Sequence, residues 1–132
     1  MNGYSFFTPT KVLFGAGKLG ELGAQKLPGT KALIVTTGGN SVKRFGYLQC
    51  VEAELDRAGV AHELFDRIEP NPLRETVNAG GWMARTHGCD FVLALGGGSV
   101  MDGSKGICAV AANPHTDAEG NECPGDIWDF VN

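Results

Sequence analysis

A glycine-rich run after residues 91–95 is the part of this sequence best suited to chemistry. The short apolar segment gives way to Gly96, Gly97 and Gly98, and Ser99 follows directly. Because glycines carry no Cβ atom, backbone N–H groups there can approach an anion closely, and the positive end of a following helix dipole would face the same charge. We therefore predict a phosphate-binding turn, most simply for the pyrophosphate of a nucleotide.

Other readings of this run are a P-loop and a plain turn. A kinase-type P-loop needs a lysine directly after a glycine and before serine or threonine, whereas Lys105 follows Ser104 and precedes Gly106. That motif is therefore disfavoured. An ordinary strand-to-helix turn, in which glycine serves packing alone, stays open as the alternative to phosphate binding.

The composition indicates a single domain and disfavours several partners. With 132 residues and 42% hydrophobic content the chain can bury one core. A net charge of −4 with interspersed signs argues against nucleic acid and membrane surfaces, and no stretch has the ~18 to 20 apolar residues that cross a bilayer. The four cysteines form no C-x-x-C pair and no signal-peptide pattern opens the chain, so we expect free thiols and a cytoplasmic protein.

The spacing of apolar residues predicts the elements that position the glycine turn. A β-hairpin is expected from residues 4–7 and 12–14, and a glycine-weakened helix from residues 19–27. Further strands are predicted at residues 32–36, 60–68 and 91–95, and helices at residues 45–58, 73–87 and 100–112. The alternation predicts an α/β fold, namely a Rossmann-like parallel sheet with flanking helices, preceded by the N-terminal β-hairpin.

Ligands of such sheets bind at the carboxyl ends of the strands, so the loops there are candidate sites. The loop after the first parallel strand contains four residues that suit a phosphate or a ribose: Gly38, Gly39, Asn40 and Ser41. The loop after the second reads Glu-Pro-Asn-Pro over residues 69–72, where Asn71 is predicted to cap the next helix. The third loop is the glycine turn. Together they favour a nucleotide crevice.

A second glycine pattern, Gly15, Gly17 and Gly20, matches the G-x-G-x-x-G fingerprint of dinucleotide-binding proteins. That fingerprint requires an acidic residue about 20 positions later, at the end of the next strand, and this strand ends in Thr36 and Thr37 instead. We therefore favour a simple glycine turn at this position over pyrophosphate binding.

No metal site is predicted within the chain. His62, His87 and His115 lie far apart in sequence, without the i, i+4 spacing that places two imidazoles on one helix face. Each histidine is interpreted as structural or exposed.

Five ordered blocks of the chain resemble the N-terminal, cofactor-binding domain of the iron-containing (group III) alcohol dehydrogenases. The resemblance extends over essentially all 132 residues and is strongest to the butanol dehydrogenase and NADPH-dependent aldehyde reductase branch. The blocks are residues 6–17, 38–43, 69–72, 96–105 and 126–130. Glycerol dehydrogenase and dehydroquinate synthase share the glycine turn and stay open as related alternatives.

The resemblance implies roles for individual residues. Gly97, Gly98 and Ser99 would wrap the pyrophosphate of the cofactor, and Asp102 would face the nicotinamide end of the crevice. Asn71 would lie beside the same cofactor. No catalytic residue is implied within this chain.

Cofactor preference is inferred from the end of the first parallel strand. The family often has an acidic residue where this chain has Thr37, and that acid selects NAD, so NADP(H) is expected over NAD(H). Ser41 could donate to phosphate oxygens, and Lys43 or Arg44 could add positive charge, although both could equally be solvated surface charges. Asn40 departs from the glycine that is frequent in this branch.

The resemblance also implies how the whole enzyme is organised. Residues 1–132 would be the dinucleotide-binding domain, and the ligands of Fe²⁺ or Zn²⁺ would belong to a C-terminal helical domain absent from this chain. The substrate would be an alcohol or an aldehyde, and a homodimer would form through the N-terminal strands. The chain alone is expected to bind cofactor without turnover. A stand-alone nucleotide-binding module without catalysis is the alternative from another functional class.

Overall fold

Three parallel strands form the sheet in a computed structural model that describes residue 3 and residues 5–131. The strands are β1 (Lys31–Thr37), β2 (Ala61–Ile68) and β3 (Phe91–Ala94), in the order β2-β1-β3. Four helices connect or follow them: α1 (Ser41–Arg44), α2 (Tyr47–Arg57), α3 (Arg74–Thr86) and α4 (Gly98–Ala112). The predicted α/β fold with a parallel sheet and flanking helices is confirmed.

The central strand β1 is buried on both faces because helices cover both sides of the sheet. Leu33 and Val35 point to the side covered by α3 and α4, where they join Phe65 and Ile107 in one hydrophobic cluster. Residues 32 and 34 point to the opposite side and pack against α2. This alternation explains why the sequence of β1 reads as a continuous apolar run.

Helices α3 and α4 approach each other closely through glycine. A Cβ atom at Gly80 would lie 2.5 Å from Cδ1 of Ile107 and 3.1 Å from Cε1 of Phe65. Both distances are shorter than ordinary van der Waals contact. The absence of a side chain at Gly80 therefore sets how near α3 lies to α4 and to the sheet.

The N-terminal hairpin differs from the prediction. Residues 5–14 form no strand in the structure, and Tyr4, where the first predicted strand begins, lies outside the described residues. Phe6, Phe7 and Phe14 are 82%, 84% and 94% exposed. An isolated two-stranded hairpin is marginal without a third strand or a packed face, and these side chains find neither here.

Glycine also changes two of the predicted helices. The expected helix at residues 19–27 is a 3₁₀ helix, Lys18–Ala24, which packs against α2. The expected helix at residues 45–58 is α2, Tyr47–Arg57. It begins later than predicted because its N-cap, Gly46, adopts a left-handed conformation with φ 76° and separates it from α1.

The predicted capping role of Asn71 is wrong. Helix α3 begins at Arg74 with Leu73 as its N-cap, and Asn71 instead adopts a left-handed conformation with φ 56°. The residue before a proline is sterically hindered from the right-handed helical region, and asparagine tolerates the left-handed one. The backbone thus turns sharply at the carboxyl end of β2.

Residues 115–130 return the chain to helix α3. Two short strands, β4 (His115–Thr116) and β5 (Glu122–Cys123), pair antiparallel, and a 3₁₀ helix follows at Ile127–Phe130. Asp126 accepts hydrogen bonds from the side chains of Arg74 and Asn78 on α3, and Asn78 accepts one from the Ile127 N–H. The Arg74 guanidinium holds the pKa of Asp126 well below its usual range.

The amino ends of β1 and β3 are joined by Asp90. Its carboxylate accepts hydrogen bonds from the backbone N–H groups of Thr30 and Lys31, each at 2.8 Å, and from the Thr30 hydroxyl, also at 2.8 Å. These bonds lower the pKa of Asp90, because each one stabilises the ionised carboxylate.

We expect Asp90→Asn to destabilise the fold at neutral pH, because an amide replaces one accepting oxygen with a donor. The native pKa of Asp90 lies below its unfolded value, so its contribution is fully present above pH ~4 and is lost as the pH falls through the folded pKa. Urea unfolding of both proteins between pH 7 and pH 3 measures this. The two midpoints should converge at low pH, and a gap that stayed constant would contradict the linkage.

Candidate functional site

The glycine turn after β3 is held against β1 by two hydrogen bonds to Leu95. The Leu95 N–H donates to the Val35 carbonyl at 2.8 Å, and the buried Thr36 hydroxyl donates to the Leu95 carbonyl at 2.8 Å. Both polar groups of the Leu95 backbone are thus satisfied by the central strand. Gly96 follows directly, so the turn begins from a fixed point on the sheet.

We expect Thr36→Val to lower both stability and cofactor affinity, whereas Thr36→Ser should retain most of each. Valine leaves the Leu95 carbonyl without its donor, and an unsatisfied buried acceptor costs about 1–3 kcal/mol. Denaturant unfolding and calorimetric titration of the two variants measure these effects. Equal behaviour of valine and serine would show that the hydroxyl does not hold the turn.

Packing accounts for one glycine of the turn but not for the next two. A Cβ atom at Gly96 would lie 2.6 Å from Cγ2 of Val100, so a side chain there is excluded by the protein itself. A Cβ atom at Gly97 or Gly98 would meet no atom within 4 Å. The open space beside Gly97 and Gly98 fits a ligand that approaches the backbone, as a pyrophosphate would.

The turn leads directly into the longest helix of the described residues. Gly97 is the N-cap of α4, with φ −90° and ψ −162°, and its carbonyl accepts the Met101 N–H at 3.0 Å. Gly98 and Ser99 occupy the first turn, so their N–H groups are among those without partners inside the helix. An anion beside Gly97 would therefore meet backbone donors and the positive end of the dipole.

A cavity of about 460 Å³ lies between the loops that follow β1 and β2. Its lining residues come from both carboxyl ends: Thr37, Gly38, Gly39, Arg67, Ile68, Glu69 and Pro70. A Cβ atom at Gly38 would lie 3.2 Å from the Asp66 carbonyl, which shows how closely the two loops approach.

The other predicted site residues lie on the same edge of the sheet. Asn40 is the N-cap of α1, although its side chain makes no capping hydrogen bond, and Ser41 is the first helical residue. Asn71 is exposed on the loop after β2. Asp102 is exposed on α4, where the Lys105 ammonium lies 3.1 Å from its carboxylate. The roles of these residues in cofactor binding stay predictions.

Of the two basic residues expected to add charge near this edge, Lys43 has a carboxylate partner and Arg44 lies beside an aromatic ring. The Lys43 ammonium lies 2.6 Å from Oδ2 of Asp66, and this contact lowers the pKa of the carboxyl group. The guanidinium carbon of Arg44 lies 5.9 Å from the centre of the Phe45 ring. Arg67, which sequence reasoning did not consider, lines the cavity instead. Its only signal in the sequence is its place directly before the Ile-Glu-Pro-Asn-Pro segment.

Glu69 also lines this cavity and is turned towards helix α3. Its Oε1 atom accepts a hydrogen bond from the Thr76 hydroxyl at 2.7 Å, and that bond lowers the pKa of the carboxyl group. Its Oε2 atom is buried without a partner among the described residues.

The G-x-G-x-x-G pattern lies at the other end of the molecule. The carbonyl of Gly20 accepts a hydrogen bond from Arg57 in the last turn of α2, at 3.1 Å. Helix α2 ends next to the amino end of β2, whereas the glycine turn follows the carboxyl end of β3. The sequence interpretation that discounted this pattern is consistent with the geometry.

His87 and His115 lie at the surface beside carboxylates, whereas His62 is half-buried with its Nδ1 atom 3.7 Å from Oδ1 of Asp56. Nδ1 of His87 lies 3.4 Å from Glu63, and Nε2 of His115 lies 2.6 Å from Asp129. Within residues 5–131, no three histidine, cysteine, aspartate or glutamate side chains gather as a metal site would require. In the same part of the chain no helix combines the length and apolarity needed to span a membrane.

The four cysteines are free thiols. Two of them, Cys89 and Cys108, line a cavity of about 250 Å³ between α3, β3 and α4. Desolvation raises the pKa of both thiols.

The chain is similar to known dehydrogenases over nearly its whole length. Residues 9–129 match the sequence profile described as iron-containing alcohol dehydrogenase. NADH-dependent butanol dehydrogenase A of Clostridium acetobutylicum is 39% identical over 132 residues, which are 99% of this chain and 31% of that protein. NADPH-dependent aldehyde reductase YqhD of Escherichia coli is 41% identical over 114 residues, 86% of this chain and 29% of that protein.

A solved structure agrees with the sequence comparison. The alcohol dehydrogenase ADH/D1 from an archaeal halo-thermophile of a Red Sea brine pool superposes with a TM-score of 0.82 at 37% identity. The alignment covers 98% of this chain and 31% of that one, so the chain spans about a third of the length of these relatives. By sequence profile, identity and fold, the chain belongs to the iron-containing alcohol dehydrogenase family.

Proposed function

We propose that this chain is the NADP(H)-binding part of a metal-dependent alcohol dehydrogenase or aldehyde reductase. The observation that carries the proposal is the open space beside Gly97 and Gly98, at the start of a 15-residue helix. A packing role explains Gly96 but leaves these two glycines without a reason. Close approach of a phosphate group supplies that reason.

The chain's own residues would bind and orient the cofactor. The N–H groups of Gly97, Gly98 and Ser99 would hold the pyrophosphate, and the loop of Gly38 and Gly39 would receive the adenosine ribose in the neighbouring cavity. The hydrogen bond from the Thr36 hydroxyl to the Leu95 carbonyl supports this arrangement. It holds the carboxyl ends of β1 and β3 together, so the two loops that follow them are neighbours. As the family resemblance suggests, Asp102 would face the nicotinamide end of the crevice, and Asn71 would lie beside the same cofactor.

NADP(H) is proposed over NAD(H) on the residues of this chain. An acidic residue at the end of β1 would bond the ribose hydroxyls and repel a 2′-phosphate, and Thr37 supplies no such charge. The named relatives include both an NADH-dependent and an NADPH-dependent enzyme, so their names favour neither cofactor.

The reaction proposed for the whole enzyme is hydride transfer between the nicotinamide and a primary alcohol or aldehyde. When bound, the nicotinamide would supply or accept the hydride, and Fe²⁺ or Zn²⁺ in the whole enzyme would polarise the substrate oxygen. The described residues of this chain gather no metal site, so the metal ligands would lie in the remaining two thirds of an enzyme of this family's length. The chain would bind and orient the cofactor without turning over substrate.

Two further properties belong to this proposal. The exposed aromatic side chains Phe6, Phe7 and Phe14 support a homodimer in which the N-terminal segments of two copies pair. The free thiols support a cytoplasmic location.

Calorimetric titration of the 132-residue chain with NADPH and with NADH tests the proposal directly. Saturable binding of NADPH, tighter than that of NADH, is the expected result. Equal affinities would contradict the preference for NADP(H) that was inferred from Thr37, and would leave the glycine turn as the cofactor site. Absence of binding by both cofactors would overturn the proposal for this chain.

A further inference from the structure

Arg67 lies where a cation could reach the ribose of a bound dinucleotide. It stands directly before Ile68, the last residue of β2, and lines the 460 Å³ cavity together with Thr37, Gly38 and Gly39. The pairing of β1 with β2 shifts register between Val35 and Thr37, so one extra residue is accommodated in β2 close to Arg67.

The neighbouring ring restrains the Arg67 side chain without neutralising it. Its guanidinium carbon lies 5.7 Å from the centre of the Phe65 ring, and Phe65 is buried in the core. A guanidinium over an aromatic face is attracted by the ring and keeps its N–H donors for other partners.

Arg67 is the basic residue among the described residues that line this cavity. Lys43 is paired with Asp66, so the ammonium that the sequence suggested for phosphate binding already has a carboxylate partner. Asp66 precedes Arg67 in β2, and Glu69 also lines the cavity, with Oε1 held by Thr76. Among the described residues, the Arg67 guanidinium forms no ion pair with either carboxylate and no side-chain hydrogen bond.

The shape of the cavity next to Arg67 suits a phosphate on the ribose. Gly38 and Gly39 remove side chains from its wall, and Thr37 contributes a neutral hydroxyl where an acid would exclude a second phosphate. Arginine binds phosphate oxygens through two parallel N–H donors of its planar guanidinium group. Arg67, in β2, could bind a phosphate in this cavity in that way.

We propose that Arg67 is the residue by which this chain recognises a 2′-phosphorylated adenosine, and thereby selects NADP(H). The inference rests on the proposed function, since it requires the dinucleotide to lie across this edge of the sheet. It assigns to Arg67 the role that the sequence suggested for Lys43 or Arg44. Arg67 is a specificity-determining residue and takes no part in hydride transfer.

Adenosine 2′,5′-bisphosphate and ADP separate the 2′-phosphate from the rest of the cofactor. We would titrate both nucleotides, and NADPH and NADH, into the wild-type chain, Arg67→Gln and Arg44→Gln. The Arg44 variant makes the same chemical change at an exposed arginine of the same sheet edge, whose guanidinium lies over Phe45. Thermal unfolding of all three proteins establishes that the variants are folded.

Arg67→Gln is expected to weaken NADPH and the bisphosphate by about 10–100-fold, the value of one or more hydrogen bonds to a charged group. It should leave NADH and ADP within about 2-fold, and Arg44→Gln should leave all four nucleotides unchanged. The salt dependence of NADPH binding should also be smaller in the Arg67 variant.

The remaining outcomes overturn the inference in distinguishable ways. Equal loss of NADPH and NADH in Arg67→Gln would make Arg67 a general ligand or a structural residue. Weaker NADPH binding in Arg44→Gln but not in Arg67→Gln would show that Arg44, in α1, recognises the 2′-phosphate instead. Failure of the wild-type chain to bind any of the four nucleotides would overturn the proposed function itself, and the inference with it.

Discussion

Replacement of Gly97 by valine is expected to abolish cofactor binding while leaving the fold intact. Its φ of −90° and ψ of −162° suit a β-branched residue, and a Cβ atom there meets no protein atom within 4 Å. The new side chain would instead fill the space proposed for the pyrophosphate. Each hydrogen bond to a charged group is worth about 1.5–3 kcal/mol, so loss of two or more predicts an affinity at least ~100-fold weaker.

Gly20→Val is the matched control for this experiment. A Cβ atom at Gly20 also meets nothing within 4 Å, and the residue lies at the amino end of the sheet beside Arg57. Titration with NADPH should therefore give near wild-type affinity for Gly20→Val and none for Gly97→Val, with similar thermal midpoints. The reverse pattern would assign the pyrophosphate to the G-x-G-x-x-G segment instead.

Replacement of Gly80 by alanine is expected to destabilise the fold by overpacking its core. The added methyl group would lie 2.5 Å from Cδ1 of Ile107, at the contact between α3 and α4. Overpacking of a core typically costs about 1–3 kcal/mol, and alanine in a helix recovers up to about 1 kcal/mol relative to glycine. We therefore expect a net loss of about 1–2 kcal/mol in urea unfolding.

The double variant Gly80→Ala/Ile107→Val identifies the cause of that loss. Valine removes the Cδ1 atom that the new methyl group would meet, so part of the clash disappears. The double variant should be more stable than the sum of the two single effects predicts, which is the signature of contact between neighbours. Strict additivity would mean that the loss at Gly80 arises elsewhere in α3.

The sequence alone determined the order of the three parallel strands, the helices between them and the position of the glycine turn. Local patterns carry this information, because a buried central strand such as β1 reads as an unbroken apolar run and a phosphate-binding turn requires glycine at defined places. The family could likewise be recognised from ordered blocks, each of which combines a turn with the strand before it. As expected, the loops with Gly38, Asn71 and Gly97 all lie at the carboxyl ends of the parallel strands.

The tertiary structure decided which residues have partners. No local pattern shows that Lys43 forms an ion pair with Asp66, or that Arg67 and Gly38 line the same cavity. Nor does a local pattern show that Val100 excludes a side chain at Gly96. The predicted N-terminal hairpin failed for the same reason, since alternation of apolar residues favours a strand only where another surface covers it. Such contacts join residues far apart in sequence, and they exist only after the sheet has brought them together.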